Sequence, residues 1–295
     1  MQIGVVFPQT EIGADPAGVK AYAQAVQQLG YQHVMAYDHV IGADPSVRPG
    51  WTGYDLNSMF HEPMVLFGYL AAIAPGLELV TAVIILPQRQ TVLAAKQAAE
   101  VDVLSGGKYR LGVGIGWNAV EYEALGMDFH NRGRRLEEQI VLMRRLWTER
   151  VLTFEGKYHR VTAAGLKPLP VQRPIPIWIG ANTERAVKRA AELGDGFFPQ
   201  RPLEGGWAVT LEKVRQWRAA AGRDPNDFGI DARVNTAAGT ADDWRKQAEE
   251  WRTLGATHLT VNTMNAGFKG PDEHVARLRE ALEALNLPEV VRTQV

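Results

Sequence analysis

The sequence predicts a single (β/α)8 TIM barrel over residues 1–295, with insertions after strand two and before strand five. The main observation is a count, because strand-like apolar runs alternate with helix-like amphipathic runs eight times. Strands separated by helices pair in parallel, since a parallel connection needs a crossover. The length of 295 residues suits one barrel with insertions, because the bare fold takes about 250. An open doubly wound sheet is the main rival, but it usually stops at about five or six strands.

The first half of the chain supplies four of the predicted units. The strands are residues 3–7, 33–37, 78–86 and 109–115, followed by helices at 16–29, 63–74, 92–104 and 132–148. The first helix shows how the bounds are set. Pro16 follows Asp15, which suits a first helical turn, and Gly30 is a typical stop.

The second half supplies four more units, and the eighth favours closure of the sheet. The strands are residues 175–179, 196–198, 230–234 and 259–261, followed by helices at 184–193, 206–221, 242–254 and 272–285. In a closed barrel of this kind the chemistry lies in the loops that follow the carboxyl ends of the strands. Those loops are therefore where we search for a site.

Two connections are too long to be simple links. Residues 40–61 include Trp51, Tyr54 and Phe60 among several glycines and prolines, and residues 151–174 contain a second aromatic and proline-rich stretch. Each is interpreted either as a lid over a pocket at the barrel mouth or as a surface loop.

Composition excludes several classes of function. The 32 basic and 33 acidic residues give a net charge of −1, so nothing indicates a nucleic-acid partner. The absence of cysteine excludes disulfides, thiolate metal sites and cysteine nucleophiles, and it agrees with a cytoplasmic location. The chain starts directly with a strand, and its longest apolar stretch is broken by Pro75, Gly76 and Glu78. We therefore expect a soluble protein with no membrane partner.

Asp38 and His39 come where strand two should deliver side chains to the catalytic face. A histidine there can accept or donate a proton near neutrality, and an adjacent carboxylate can fix its tautomer. Neighbours on a strand point to opposite faces, so direct pairing needs the strand to have ended. The alternative is that both side chains satisfy backbone groups of the loop.

Two glycine-containing segments could accept a flat ligand or a phosphate. The run 112–116 has glycine at alternate positions, which lets a ligand approach the backbone or relieves crowding inside the barrel. It lacks the full spacing of a dinucleotide fingerprint. The segment 180–184 follows strand five and opens a helix, whose free amides attract phosphate.

Metal and serine-nucleophile chemistry have no support in the pattern. No His-x-His pair, His-Glu-x-x-His motif or Gly-x-Ser-x-Gly elbow is present. His33 and His258 precede their strands and are expected to be structural. The helical spacing of Arg132, Arg134, Glu137 and Glu138 predicts a salt-bridged surface or interface. By elimination, the barrel takes its reactivity from an organic cofactor.

Several spaced motifs together resemble the luciferase-like flavin and deazaflavin oxidoreductases. They are Asp38-His39, the run from Gly112 to Tyr122 with Trp117-Asn118 and Glu121, Phe154-x-Gly156-x-Tyr158, the proline-rich run from Pro168 to Ile177, and Gly194-Asp195-Gly196-Phe197. The match extends from strand one to strand eight. It is most similar to the branch that uses coenzyme F420, and FMN-using relatives share much of the pattern.

The resemblance implies a cofactor in the barrel mouth, with its ring against strand three at a non-proline cis peptide. Aligned here, that bond joins Ala82 and Val83. The phosphate is expected on backbone amides of two segments, which comprise Gly114, Ile115, Gly116, Trp117 and Asn118, and Gly180, Ala181 and Asn182. Many relatives have Gly-Gly at positions 180–181. His39 aligns with a histidine that contacts the deazaflavin, and Asp38 aligns with its companion.

The activity that the resemblance implies is hydride transfer between F420 and a small hydrophobic alcohol, carbonyl or alkene, with His39 and Asp38 as catalytic residues. Trp51, Trp117, Asn235 and Asn262 are expected in the wall of a mostly apolar pocket. Trp117 stands where a sugar-phosphate dehydrogenase branch has glutamate, which disfavours sugar phosphates.

Two alternatives stay open. One is an FMN-dependent two-component monooxygenase served by a separate reductase. The other is a barrel that binds flavin without catalysis. Relatives often form homodimers through the helices after strands two and three, where Met64, Leu66, Phe67 and Leu70 could serve core or interface.

Overall fold

The strands close into a parallel barrel in the computed structural model, which describes residues 1–285. The strands are β1 (Gln2–Val6), β2 (His33–Ala36), β3 (Glu78–Thr81), β4 (Ile84–Ile85), β5 (Tyr109–Gly114), β6 (Leu152–Glu155), β7 (Arg160–Ala164), β8 (Ile177–Ala181), β9 (Gly196–Pro199), β10 (Gly229–Asn235) and β11 (His258–Asn262). β1 pairs with β2 and β11, and β3 pairs with β2 and β5, so the ring is complete. The predicted TIM barrel is confirmed. The end of the predicted domain, residues 286–295, lies outside the described residues.

Helices surround the barrel and connect its strands. They are α1 (Pro16–Gln28), α2 (Pro63–Ile73), α3 (Thr91–Leu104), α4 (Ala119–Ala124), α5 (Arg132–Thr148), α6 (Glu184–Leu193), α7 (Gly206–Ala220), α8 (Ala241–Thr253) and α9 (Pro271–Ala284). α1 begins as predicted, because the Asp15 side chain accepts from the Ala17 backbone amide at 3.0 Å. The short helix α4 was not predicted. Asn118 caps it by accepting from the Val120 amide at 3.0 Å.

The third barrel strand differs from the prediction. Residues 78–86 were expected as one strand, but β3 ends at Thr81 and β4 resumes at Ile84. The interruption contains the Ala82–Val83 bond, which is cis, as the family resemblance implied. Ala82 and Val83 therefore form an irregular segment at the carboxyl end of β3.

The second insertion forms an antiparallel hairpin of β6 and β7 outside the barrel. The Glu138 carboxylate on α5 accepts from the amides of Lys157 and Tyr158 at 2.7 and 2.8 Å, and it contacts His159 at 2.8 Å. The other ring nitrogen of His159 lies 2.6 Å from the Thr91 hydroxyl. These contacts fasten the hairpin to α5 and to the start of α3.

A buried polar network fills the amino-terminal end of the barrel. Arg110 pairs with Asp231 at 3.0 Å and with Glu78 at 2.9 Å, and its guanidinium lies 4.3 Å from the Trp178 ring centroid. His33 bonds to the Thr260 hydroxyl at 2.8 Å within the same network. Polar side chains at this end of a barrel serve stability rather than catalysis.

The α2 side chains left open between core and interface all belong to the core. Met64, Leu66, Phe67 and Leu70 are at most 6% exposed. Among residues 1–285, no helix combines the length and apolar character needed to cross a membrane.

Candidate active site

One cavity of about 1380 Å³ lies at the carboxyl ends of the barrel strands. It brings together most of the residues expected from the sequence, which are Asp38, His39, Ala82, Val83, Gly114, Ile115, Gly116, Trp117, Asn118, Gly180, Asn182, Asn235 and Asn262. They come from the ends of six different barrel strands that are far apart in the chain. This is the arrangement in which barrel enzymes assemble a site.

Two expected residues do not line the cavity. Ala181 is buried behind it at 1% exposure, and Trp51 lies outside it, with its ring 5.8 Å from that of Trp117. Asn235 and Asn262 line the cavity as expected, and the Asn262 amide donates to Asn235 at 2.9 Å.

The cavity has a glycine floor, formed by Val83 with Gly114 and Gly180. A Cβ added to Gly114 would stand 2.5 Å from Val83 Cγ2, and one added to Gly180 would stand 3.0 Å from Cγ1. The missing side chains therefore make the space that Val83 fills. At the adjacent Gly116 the φ angle is 65°, and an added Cβ would stand 2.7 Å from Ile85 Cγ2.

Asp38 does not pair with His39, which was one of the two possibilities that the sequence left open. Its two carboxylate oxygens accept from Arg89 Nη2 at 2.8 Å and from the Ile85 amide at 2.9 Å. Burial raises the pKa of Asp38, and the Arg89 guanidinium opposes that rise. Asp38 therefore ties the end of β2 to β4, beside the cis bond, rather than orienting the imidazole.

The partner of His39 is Glu121, which the sequence placed in a motif without assigning it a contact. His39 Nδ1 lies 2.8 Å from Glu121 Oε1, and the Val40 amide donates to the same oxygen at 3.2 Å. Gln88 Nε2 donates to Oε2 at 3.1 Å. Burial alone would raise the pKa of Glu121, but the bonds from His39 and Gln88 outweigh it and hold the pKa below its usual value.

An aromatic cluster of Tyr54, Phe60 and Trp117 surrounds His39. The imidazole centroid lies 4.7 Å from the rings of Tyr54 and Phe60 and 5.9 Å from that of Trp117. Tyr54 and Phe60 come from the insertion 40–61, so this segment covers part of the mouth. Within the described part of the chain, no residue of the insertion 151–174 lines the cavity.

The other side of the mouth is a basic wall of five arginines, which are Arg132, Arg134, Arg185, Arg189 and Arg201, whereas Arg233 lines the cavity beside Tyr37. The expectation of a mostly apolar pocket is therefore wrong. Arg132 and Arg134 were also assigned to a salt-bridged surface, but they line the mouth at the start of α5. Helix periodicity defines the face of a helix, whereas the position of its first turn depends on the fold.

Two arginines of the basic wall lie at a helix amino terminus, where positive charge is unfavourable. Arg132 and Arg134 lie in the first turn of α5, which contains no acidic residue. Cations are disfavoured at a helix amino terminus, where the backbone dipole is positive. Arg189 is paired with Glu137 at 2.8 Å, on the side of α5. The positive charge at this end of the cavity suits an anionic ligand.

Asn118 adds a buried donor to the site. Its Oδ1 caps α4, while Nδ2 has no hydrogen-bond partner among the described residues and the side chain is 1% exposed. Such a group is costly unless something accepts from it. Residues 1–285 contain no group of three histidine, aspartate or glutamate side chains placed to hold a metal ion.

Comparison with known families identifies the class. The luciferase-like monooxygenase family matches residues 1–292, and the chain belongs to this family. The resemblance found in the sequence motifs is therefore confirmed. A monooxygenase from Streptomyces bottropensis has the same fold, with a TM-score of 0.76 and 19% identity over 97% of this chain and 100% of its own.

Relatives of known activity use two different cofactors. The F420-dependent hydroxymycolic acid dehydrogenase of Mycobacterium tuberculosis is 30% identical over 280 residues, covering 92% of this chain and 74% of its own. The FMNH(2)-dependent dimethylsulfone monooxygenase of Pseudomonas putida is 31% identical over 186 residues, covering 62% of this chain and 50% of its own. The family thus includes F420-dependent and FMN-dependent oxidoreductases.

Proposed function

We propose that the protein is an oxidoreductase that transfers hydride between coenzyme F420 and a small hydrophobic alcohol, carbonyl or alkene. The observation that carries the choice of cofactor is the basic wall of five arginines. F420 has a phosphodiester followed by glutamate carboxylates, whereas FMN has a single terminal phosphate. A row of arginines matches the more extended anion.

The residues of the cavity fit such a cofactor. The glycine floor offers a flat contact surface for a ring system, and Gly114 and Gly116 place no side chain between the backbone and the mouth. Asn118 Nδ2 is a buried donor that has no acceptor among the described residues and could donate to the cofactor. When bound, the deazaflavin supplies a ring carbon that accepts or donates hydride.

The side chains around His39 would handle the substrate. Its imidazole is 13% exposed and borders the cavity, where it can exchange a proton with a substrate oxygen. The aromatic cluster gives this half of the mouth an apolar surface, which supports a hydrophobic substrate. The polar basic wall lies on the other side and is assigned to the cofactor.

The function is tested by anaerobic turnover of F420 with a panel of alcohols, and of reduced F420 with carbonyls and alkenes. We expect substrate-dependent change in the F420 spectrum, and a loss of about 10²–10⁴-fold in H39A, since a general acid–base group contributes that much. Because Asp38 supports β4, D38A should weaken cofactor binding as well as turnover. Unchanged turnover in H39A would refute the assigned role of His39.

An FMN-dependent monooxygenase is the second candidate, and the relative from Pseudomonas putida favours it. This protein would then receive reduced FMN from a separate reductase and consume oxygen. Oxygen uptake with reduced FMN and substrate, in place of F420 turnover, would establish that alternative. Tight binding without substrate-dependent redox change would indicate a non-catalytic flavin-binding barrel.

A homodimer through α2 and α3 is part of the proposal. The exposed apolar side chains on these neighbouring helices include Val65, Tyr69, Val92 and Leu93. An exposed apolar patch rarely stays unpartnered in a soluble protein. Sedimentation equilibrium should give twice the chain mass, and the doubly charged variant V65E/L93E should give the monomer.

A further inference from the structure

We infer that Glu121 is a positioning residue, which fixes the proton of His39 on Nδ1 and leaves Nε2 to exchange a proton with the substrate. The inference deepens the proposed function and rests on it for the proton transfer. It concerns the chain's own side chains, because Glu121 and His39 are in direct hydrogen-bond contact.

The hydrogen-bond pattern determines which ring nitrogen carries the proton. Glu121 Oε1 already accepts from the Val40 amide, which can only donate. The bonds from His39, Val40 and Gln88 lower the pKa of Glu121 despite its burial, so the group is a carboxylate at neutral pH. A carboxylate only accepts, so Nδ1 at 2.8 Å must be the donor. In the neutral imidazole Nε2 is then the acceptor.

Other groups around His39 do not compete for this role. The carboxylate of Asp38, its neighbour in the chain, is bound by Arg89 and the Ile85 amide. The remaining close contacts of the imidazole are the rings of the aromatic cluster. Among the described residues, Glu121 is the carboxylate in hydrogen-bond contact with His39, and its side chain is only 1% exposed.

The pair provides a complete path for the substrate proton in alcohol oxidation. The carbinol C–H bond would break with its electron pair, which oxidised F420, when bound, would accept as hydride. The O–H proton goes to His39 Nε2 while the C=O bond forms. The imidazolium produced carries its positive charge next to the Glu121 carboxylate, 2.8 Å away. Carbonyl reduction runs the same transfers in reverse.

The structure offers a conservative variant, E121Q. Its amide oxygen can take the place of Oε1 and accept from His39 and Val40. Its NH₂ group then faces Gln88, whose Oε1 is buried without a partner among the described residues and can turn to accept. E121Q therefore removes the charge while keeping the hydrogen bonds, whereas E121A removes both. E123Q is the matched control, because Glu123 lies on the same helix and is 78% exposed.

The first readout is which nitrogen of the neutral His39 ring carries the proton in the apoprotein. The ¹⁵N chemical shifts of Nδ1 and Nε2 measure this. We expect the proton on Nδ1 in the wild type, E123Q and E121Q, and a substantial population of the Nε2–H form in E121A. A wild-type ring protonated on Nε2 would overturn the inference. Thermal melts of each variant show whether the fold is intact.

The second readout separates positioning from binding. We expect kcat of E121A to fall about 10–100-fold, the range seen when a hydrogen-bond partner that orients a metal-ligating histidine is lost. KM should change less than kcat, and E121Q should retain more activity than E121A. Unchanged kcat in a folded E121A would overturn the positioning role. Wild-type Nδ1 protonation without F420 turnover would instead refute the proposed function and, with it, the transfer step.

Discussion

Replacing Gly114 with alanine tests whether the glycine floor is built around Val83. The added Cβ would stand 2.5 Å from Val83 Cγ2, whereas carbon atoms pack at about 3.5–4.0 Å. The two groups must therefore separate by about 1 Å. Valine has few rotamers, so the backbone beside it must give as well.

Overpacking of this kind costs about 1–3 kcal/mol. We expect G114A to lower the free energy of unfolding by that amount in chemical denaturation. Because Val83 is pushed toward the cavity, cofactor affinity should fall about tenfold, which corresponds to about 1.4 kcal/mol. The double variant G114A/V83A removes the colliding methyl groups and should recover stability, with a coupling energy of about 0.5–3 kcal/mol.

G68A is the matched control, since Gly68 lies on α2 and an added Cβ meets no atom within 4 Å. It should be neutral or stabilising by about 0.5–1 kcal/mol, because alanine favours the helix. Wild-type stability and cofactor binding in G114A would refute the packing argument. A G114A/V83A variant no more stable than the sum of the single changes would refute the assignment of Val83 as the colliding group.

Three further predictions concern charge and burial. R185Q should weaken F420 binding and reduce the dependence of that binding on salt. The control R215Q removes an exposed arginine paired with Glu212 and should change neither property. Equal effects of the two variants would contradict the assignment of the basic wall to cofactor binding. Burial lowers the pKa of His274 to about 4, so its contribution to stability is complete above the usual value of 6.5 and is lost as pH falls from 6.5 toward 4. In H274N the unfolding free energy should fall less steeply as pH is lowered across this window, with a slope smaller by up to about 1.4 kcal/mol per pH unit. Denaturation series at several pH values measure the slope, and an unchanged slope would contradict this role of His274. R110M leaves the buried Asp231 carboxylate without its guanidinium and should destabilise by about 3–5 kcal/mol, which R110M/D231N should partly restore; a stable R110M would refute the role of this pair.

The barrel was predictable because each unit carries its own local signal. Apolar runs mark the strands, and residues such as Asp15 and Pro16 mark a helix start. The split of the third strand was not readable from periodicity, since residues 78–86 are apolar except for Glu78 and Thr81. Its position followed only from the resemblance, which placed the cis bond between Ala82 and Val83.

The site was predictable as far as strand ends determine it. Asp38 and His39 follow β2, and both border the cavity. Their partners depend on pairings across 51 and 82 positions in the chain, to Arg89 and Glu121. Glu121 also stands three residues after the helix cap Asn118, a spacing that by itself indicates helix capping. No local pattern distinguishes that role from a contact with His39.

The basic wall could not be predicted because its members come from separate segments. Arg132 and Arg201 are surface-like residues in the sequence, and only closure of the barrel brings them to one cavity. Charge composition gave no hint, since the net charge of the chain is −1. Whether charged side chains cluster in one place depends on the fold and cannot be read from the total numbers of basic and acidic residues.

The central claim is that the cavity selects F420, and equilibrium titration of the apoprotein with F420 and FMN, each oxidised and reduced, tests it most directly. Fluorescence reports binding of each cofactor. The account predicts tight binding of F420 that excess FMN does not displace. Preferential binding of reduced FMN, or binding of neither cofactor, would contradict it.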